Sequence, residues 1–141
     1  MSGAMEQGGM EIVVVGAHMS GLPLNGELLA LNARFLRAAR TRDCYRLYRL
    51  RGGPPFRPGL LRVAPGAGHA IAVEVWSVPL PCIGALLAAI PAPLGLGTLL
   101  LEDGTAPKGF LAEAEGVRDA EDISFSGGWR AWLASQGTAL A

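Results

Sequence analysis

Of the residues in this chain, His18 is the one best suited to carry a proton near neutral pH. It is one of two histidines, and the other, His69, lies far away in sequence after the turn-rich stretch APGAG. His18 sits in VVVGAHMSGLPLN, residues 13–25, where a run of valines stops at Gly16. An imidazole titrates ordinarily near pH 6.5 and so can give or take a proton under physiological conditions. Gly16 and Gly21 permit close approach or unusual dihedrals. The backbone N–H groups of Ser20, Gly21 and Leu22 offer donors to an anion. The bland account of the same residue is a histidine that holds its loop by hydrogen bonds, and spacing alone favours that account. Two carboxylates, Glu74 and Glu113, lie in otherwise apolar strand patterns. A carboxylate turned into a core is costly unless it is paired or functional. An outward position on the polar side of a sheet accounts for Glu74, whereas the neighbours of Glu113 alternate too poorly to choose a face.

Metal chemistry has little support, and no cofactor motif stands out. Cys44 and Cys82 form no Cys-x-x-Cys pair, so neither a zinc site nor a disulfide framework is expected, and two free buried thiols are the simpler reading. GAHMSG after the first strand is not the Gly-x-Gly-x-x-Gly fingerprint of a dinucleotide site. The chain has 141 residues, half of them apolar, only 17% charged, and a formal net charge of zero. That length suits one domain with a real core. Zero net charge leaves no basic field to hold nucleic acid.

The apolar stretch PLPCIGALLAAIPAPLGLGTLLL, residues 79–101, carries no charge and is long enough to cross a bilayer, which takes about 20 residues. Pro79, Pro81, Pro91 and Pro93 with Gly84, Gly95 and Gly97 interrupt it, and lipid cannot replace the backbone bonds they remove. A short buried helix, a rigid loop and a buried strand fit better, and no membrane association is expected. The opening MSGAMEQGGM has no basic or apolar signal region. It reads as a flexible leader at 1–10, before one domain at 11–136 and a tail at 137–141, in a cytoplasmic protein.

The elements that must position His18 follow from pattern. Residues 11–16 read as a buried strand. Residues 26–40 read as a helix, with Leu28, Leu31, Phe35 and Leu36 near one face, Arg34, Arg37 and Arg40 toward solvent, and Asn25 as its N-cap. CYRLYRL at 44–50, a short piece at 60–63 and HAIAVEVWSVP at 69–79 read as strands. In the last of these Ile71, Val73 and Val75 share one face. CIGALLAAI is a short helix, and residues 97–115 form a hairpin turning near Asp103-Gly104. A loop and a short helix bearing Trp129, Trp132 and Leu133 close the chain, the two tryptophans reading as core anchors. Strands follow one another with helices inserted. The pattern predicts an α+β domain with a largely antiparallel, barrel-like sheet and not a doubly wound one.

Six blocks occur in order: VVVGAHMSGLPLN, YRLYRLRGGPPFRPGLLRV, EVWSVP, IPAPLGLGTLLLEDG, GFLAE and DISFSGGWRAWLAS. Together they resemble the C-terminal domain of allophanate hydrolase over residues 12–135. That family has a γ-glutamyl cyclotransferase-like fold, a small β-barrel with packed helices. The resemblance implies a role in decarboxylating N-carboxycarbamate to carbon dioxide and ammonia after an amidase has acted. With no amidase part, the chain reads as a stand-alone version of the domain, and a separately encoded amidase is the partner this implies. The histidine of the family's GAHMSG block matches His18, which becomes the proton donor, with Met19, Ser20, Gly21 and Leu22 lining the site. A substrate with two carboxylates calls for cations. Arg57, in a proline-stiffened loop, is the first candidate and Arg130 the second, with Glu113 a further lining residue. Each arginine taken singly is equally well explained as a surface group. True cyclotransferases use a glutamate base after the central strand, and PCIGALLAAIPAP has no acidic residue, so that activity ranks lower. A module that binds a small carboxylate without catalysis, or docks onto an amidase, is the alternative. The oligomeric state is not legible in the sequence.

Overall fold

Ile12, Val13, Val14 and Val15 present apolar side chains to both faces of a strand, so this stretch is stable only where both faces are covered. In the computed structural model, which describes residues 8–137, three of the four belong to a central strand. The elements in chain order are β1 (Gly9–Val14), α1 (Asn25–Ala30), β2 (Arg34–Arg40), β3 (Tyr45–Arg49), β4 (Pro58–Arg62), β5 (Ala72–Pro79), α2 (Leu80–Ala88), β6 (Leu94–Thr98), β7 (Lys108–Ala112), α3 (Ala114–Val117), β8 (Glu121–Asp122), a 3-10 turn (Ser124–Ser126) and α4 (Trp129–Ser135). β1 starts two residues inside the expected leader.

Two sheets result, one ordered β2-β5-β1-β7-β6 and one ordered β4-β3-β8. Every pairing is antiparallel except β1 with β7. The expected largely antiparallel α+β architecture is therefore present, with sheets that stay open and do not close into a barrel. The core joins both sheets to α4. Ile12, Tyr45, Leu47, Leu60, Ile71 and Ile123 are fully or almost fully buried. Trp129 and Trp132 are buried and stack with ring centroids 5.1 Å apart, as core anchors should.

Residues 26–40 are not one helix. α1 ends at Ala30, Asn32 takes a left-handed conformation (φ 62°), and Arg34–Arg40 pairs as β2 with β5. Asn tolerates that conformation better than most residues and so permits the break. The leucine spacing satisfied a helix equally well, but only a strand here can cover the open edge of β5. Asn25 is not the cap either. Leu24 occupies that position, and the Asn25 side chain turns back to the preceding loop.

The uncharged stretch 79–101 does fold as a short helix, a proline loop and a strand, but it is buried only in part, chiefly at Leu86, Leu99 and Leu101. In α2 only Leu86 is buried, while Leu80 and Leu87 are about half exposed, and β6 is a half-buried edge strand. Among the described residues, no helix is long and apolar enough to cross a membrane. The expected turn near Asp103-Gly104 is closed by the Leu101 N–H donating to the Thr105 carbonyl. Cys44 is buried, whereas Cys82 is only partly so, and both are free thiols.

Candidate functional site

The loop that follows β1 is folded against itself. The Met19 N–H donates to the Gly16 carbonyl (2.9 Å), Leu22 to Met19 (3.0 Å) and Leu24 to Ala17 (2.8 Å). The Asn25 side-chain amide donates to the His18 carbonyl at 2.9 Å. Gly21 takes φ 78°, a conformation that needs glycine. Gly16 is required for a different reason: a Cβ there would lie 2.2 Å from Cδ of Pro58. The loop thus packs directly on the start of β4, next to Arg57.

This packing brings two of the expected site residues together. His18 and Arg57 line one narrow cleft with Gly16, Pro58, Leu94 and Phe110. Its interior, about 20 Å³, holds a group about the size of one water. His18 is 8% exposed, and its ring stacks on Phe110 of β7 at 5.1 Å. Its Nε2 lies 2.9 Å from Oε1 of Glu27, in the first turn of α1. With the imidazole neutral, Nε2–H donates to the carboxylate, which fixes the tautomer and leaves Nδ1 as an acceptor.

Burial pushes the His18 pKa below its ordinary value, and the positive charge of Arg57 pushes the same way. The Glu27 hydrogen bond and charge push it up but do not win, because Glu27 is itself 55% exposed and solvated. Arg57 makes none of the ion pairs among the described residues. The cleft therefore combines a cation without a carboxylate partner and a neutral imidazole that an entering anion would charge.

The expected loop donors are mostly spent. The Ser20 N–H donates to Glu74 at 2.8 Å, and Leu22 donates to Met19. The N–H groups of Ala17 and His18, by contrast, have no acceptor among the described residues. The Gly21 N–H, one of the three expected donors, has no acceptor among the described residues either, so the backbone donors left for an anion are those of Ala17, His18 and Gly21.

Met19, Ser20 and Arg130 face the reverse side of the loop. There Met19, Ala72, Glu74, Arg130 and Ala131 line a separate cleft of about 430 Å³, mostly apolar. Arg130 donates to the Ser20 carbonyl (2.9 Å) and to Oε2 of Glu74 (3.2 Å). Glu74 is not an outward-facing surface charge, because its side chain is only 12% exposed. The loop and α4 cover its face of β5. Glu113 is exposed, precedes α3 and lines neither cleft.

Sequence reasoning missed Glu27, Asn25 and Phe110 as neighbours of His18. Glu27 carried only the generic signal of an acid in a first helical turn. Phe110 comes from a strand 92 residues later, and only the parallel β1–β7 pairing brings it close. Among the described residues, no cluster of three or more His, Cys, Asp or Glu could hold a metal.

A five-stranded sheet with one parallel pairing beside a three-stranded sheet, with short helices packed against them, is a small α+β fold shared with γ-glutamyl cyclotransferase. A solved structure of that enzyme matches at a TM-score of 0.55 with 12% identity, which shows the fold alone. The more specific likeness is to the allophanate hydrolase C-terminal domain, whose family model matches residues 10–134, and the chain belongs to that family. The urea amidolyase of Saccharomyces cerevisiae is 40% identical over 127 residues, covering 88% of this chain and 7% of its own length. The Kluyveromyces lactis allophanate hydrolase structure matches at a TM-score of 0.88 with 37% identity, covering 96% of this chain and 23% of that one. A uropathogenic E. coli-specific protein matches at 0.82 with 33% identity, covering 89% of this chain and 96% of that one. The chain thus spans less than a tenth of the length of the curated relative.

Proposed function

We propose that this domain binds a small carboxylate or carbamate in the His18–Arg57 cleft and that its substrate is N-carboxycarbamate. His18 acts as the general acid. The C–N bond breaks, its electron pair returns to nitrogen, and nitrogen takes the proton as carbon dioxide leaves. The remaining carbamate then takes up a second proton from solvent and falls apart to ammonia and a second carbon dioxide. The observation that carries this reading is the placement of a buried imidazole, hydrogen-bonded to Glu27, in one cleft with an arginine that has no carboxylate partner. A dianion there attracts Arg57 and favours the charged imidazole, so His18 takes up a proton as the ligand enters. The K. lactis relative is named an allophanate hydrolase, and this substrate is the expected product of such an amidase. An amidase that generates this substrate is the partner that fits.

One observation favours binding without catalysis. With its pKa held below the ordinary value, His18 is neutral at pH 7 until a ligand changes that. The test is a coupled ammonia assay in which a separate amidase domain generates the intermediate in place. For His18→Ala the expected loss is roughly 10²-fold or more above the spontaneous rate, the usual scale for general acid–base catalysis. An unchanged rate with weakened malonate binding leaves the binding module standing. Loss of neither rate nor malonate affinity removes His18 from the site altogether.

A further inference from the structure

Glu74 is used by nothing in the chemistry above, yet it is the most heavily hydrogen-bonded carboxylate beside the loop. Its Oε1 accepts from the Ser20 N–H (2.8 Å), the Ser20 hydroxyl (3.1 Å) and the Trp76 indole N–H (3.1 Å). Its Oε2 accepts from Arg130 (3.2 Å), and Arg130 also holds the Ser20 carbonyl (2.9 Å). Both backbone groups of Ser20 are therefore fixed, one by a carboxylate on β5 and the other by a guanidinium on α4. Ser20 is two residues from His18, and Met19 between them is buried. The carbonyl of His18 is tied to Asn25 from the other side. Pinning residue 20 thus removes most of the freedom left to residue 18.

We propose that Glu74 is a positioning residue for the His18 site, and that its pair with Arg130 is the latch through which α4 holds the site loop. The proposal rests on reading the His18–Arg57 cleft as the ligand site. It explains why a carboxylate occupies the centre of an otherwise apolar strand. A carboxylate is acceptor-only, so a single group can take three donors on one oxygen and a guanidinium on the other. Glutamine could not replace it. Its one oxygen could still accept from Ser20, but its NH₂ would then point donors at the donors of Arg130. Ser20 has no equivalent set of partners elsewhere among the described residues.

The experiment uses the whole chain, malonate as the probe, and NMR to follow the loop amides and the His18 imidazole. Glu74→Gln should weaken malonate binding roughly tenfold, the scale of coupling between groups in one network. It should also move the His18 titration up toward its ordinary value, because a looser loop leaves the ring less buried. Arg130→Gln should shift both readouts in the same direction by less. The double variant should resemble Glu74→Gln alone, since either change opens the same latch. A merely structural role would lower thermal stability while leaving His18 titration and malonate affinity unmoved, and that result overturns the proposal. Should Glu74→Gln fail to fold, Arg130→Gln decides. Arg130 is about half exposed, so its loss spares the fold, and unchanged His18 titration and malonate affinity in that variant also overturn the proposal. Failure of malonate to shift the Ala17, His18 and Phe110 amides in the unaltered chain is a separate result. It refutes the ligand site, whereas the His18 titration still reports on the latch.

Discussion

Gly16→Ala tests whether the loop and the arginine strand are one mechanical unit. The added Cβ would sit 2.2 Å from Cδ and 2.5 Å from Cγ of Pro58. Carbon atoms in ordinary contact lie no closer than about 3.5 Å, so one side must retreat by roughly 1 Å. Pro58 cannot swing aside, because its ring is rigid and it begins β4, paired with Arg49 of β3. The loop cannot retreat freely either, with Met19, Leu22 and Leu24 bonded across it. Overpacking of this kind costs about 1–3 kcal/mol, or about 4–12 °C in melting temperature for a domain of this size. The functional effect follows from what moves. Arg57 precedes Pro58, and its charge helps to hold the His18 pKa down. Displacing Arg57 should weaken malonate binding and let the His18 titration move upward. Calorimetric melting gives the first quantity, and NMR titration of the imidazole and of malonate gives the others. Unchanged stability would mean that Gly16 and Pro58 are not in contact. A stability loss with unchanged malonate affinity would separate the packing from the site and refute the unit.

The acid limit of stability should show two windows. The His18 pKa is lowered in the folded chain, so between its folded value and about 6.5 the unfolded chain binds more protons, and stability rises with pH. That stability is present above pH 6.5 and lost as pH falls through the folded value. His18→Gln should flatten urea midpoints across this window. Asp122 adds a lower one. Its burial opposes ionisation, but hydrogen bonds from Ser124 and the pairing with Arg46 outweigh that and hold its pKa down, so its contribution disappears only as pH falls below about 3.8. Urea midpoints measured every half unit from pH 3 to 8 resolve the two, and a flat profile above pH 5 in the unaltered chain would contradict the His18 assignment. Ser124→Ala should destabilise by about 1–3 kcal/mol. The buried Ser124 hydroxyl accepts the Leu47 N–H at 2.8 Å and donates to Asp122 at 2.6 Å, so its loss leaves a buried backbone donor without a partner. An equilibrium unfolding curve coincident with that of the unaltered chain would refute this account.

What the sequence could and could not show divides along one physical line. β1, β3, β5, α4 and the tryptophan anchors were legible because burial leaves a local pattern, in period two for strands and in bulky apolar spacing for α4. His18 was legible as a candidate because a polar side chain at the end of such a pattern needs an explanation. β2 was misread because its strand state is imposed from outside: β5 supplies the hydrogen bonds, and the local sequence is equally content as a helix. The same cause hid the site's partners. Phe110 reaches His18 through a parallel pairing, which leaves no short-range signature. Glu74 was assigned to solvent because its neighbours alternate correctly for an open sheet face, and the pattern carries no sign that a loop 54 residues earlier and a helix 56 residues later would cover it. The sequence ranked Arg57 above Arg130 only on the prolines that stiffen its loop, with nothing to show which of the two was already paired. The fold shows the pairing, giving Arg130 a carboxylate at 3.2 Å and placing Arg57 beside His18 without one. The distinction between a cation that holds the scaffold and a cation left for a ligand depends on which charges are already paired, and pairing at long range is what a linear pattern does not encode.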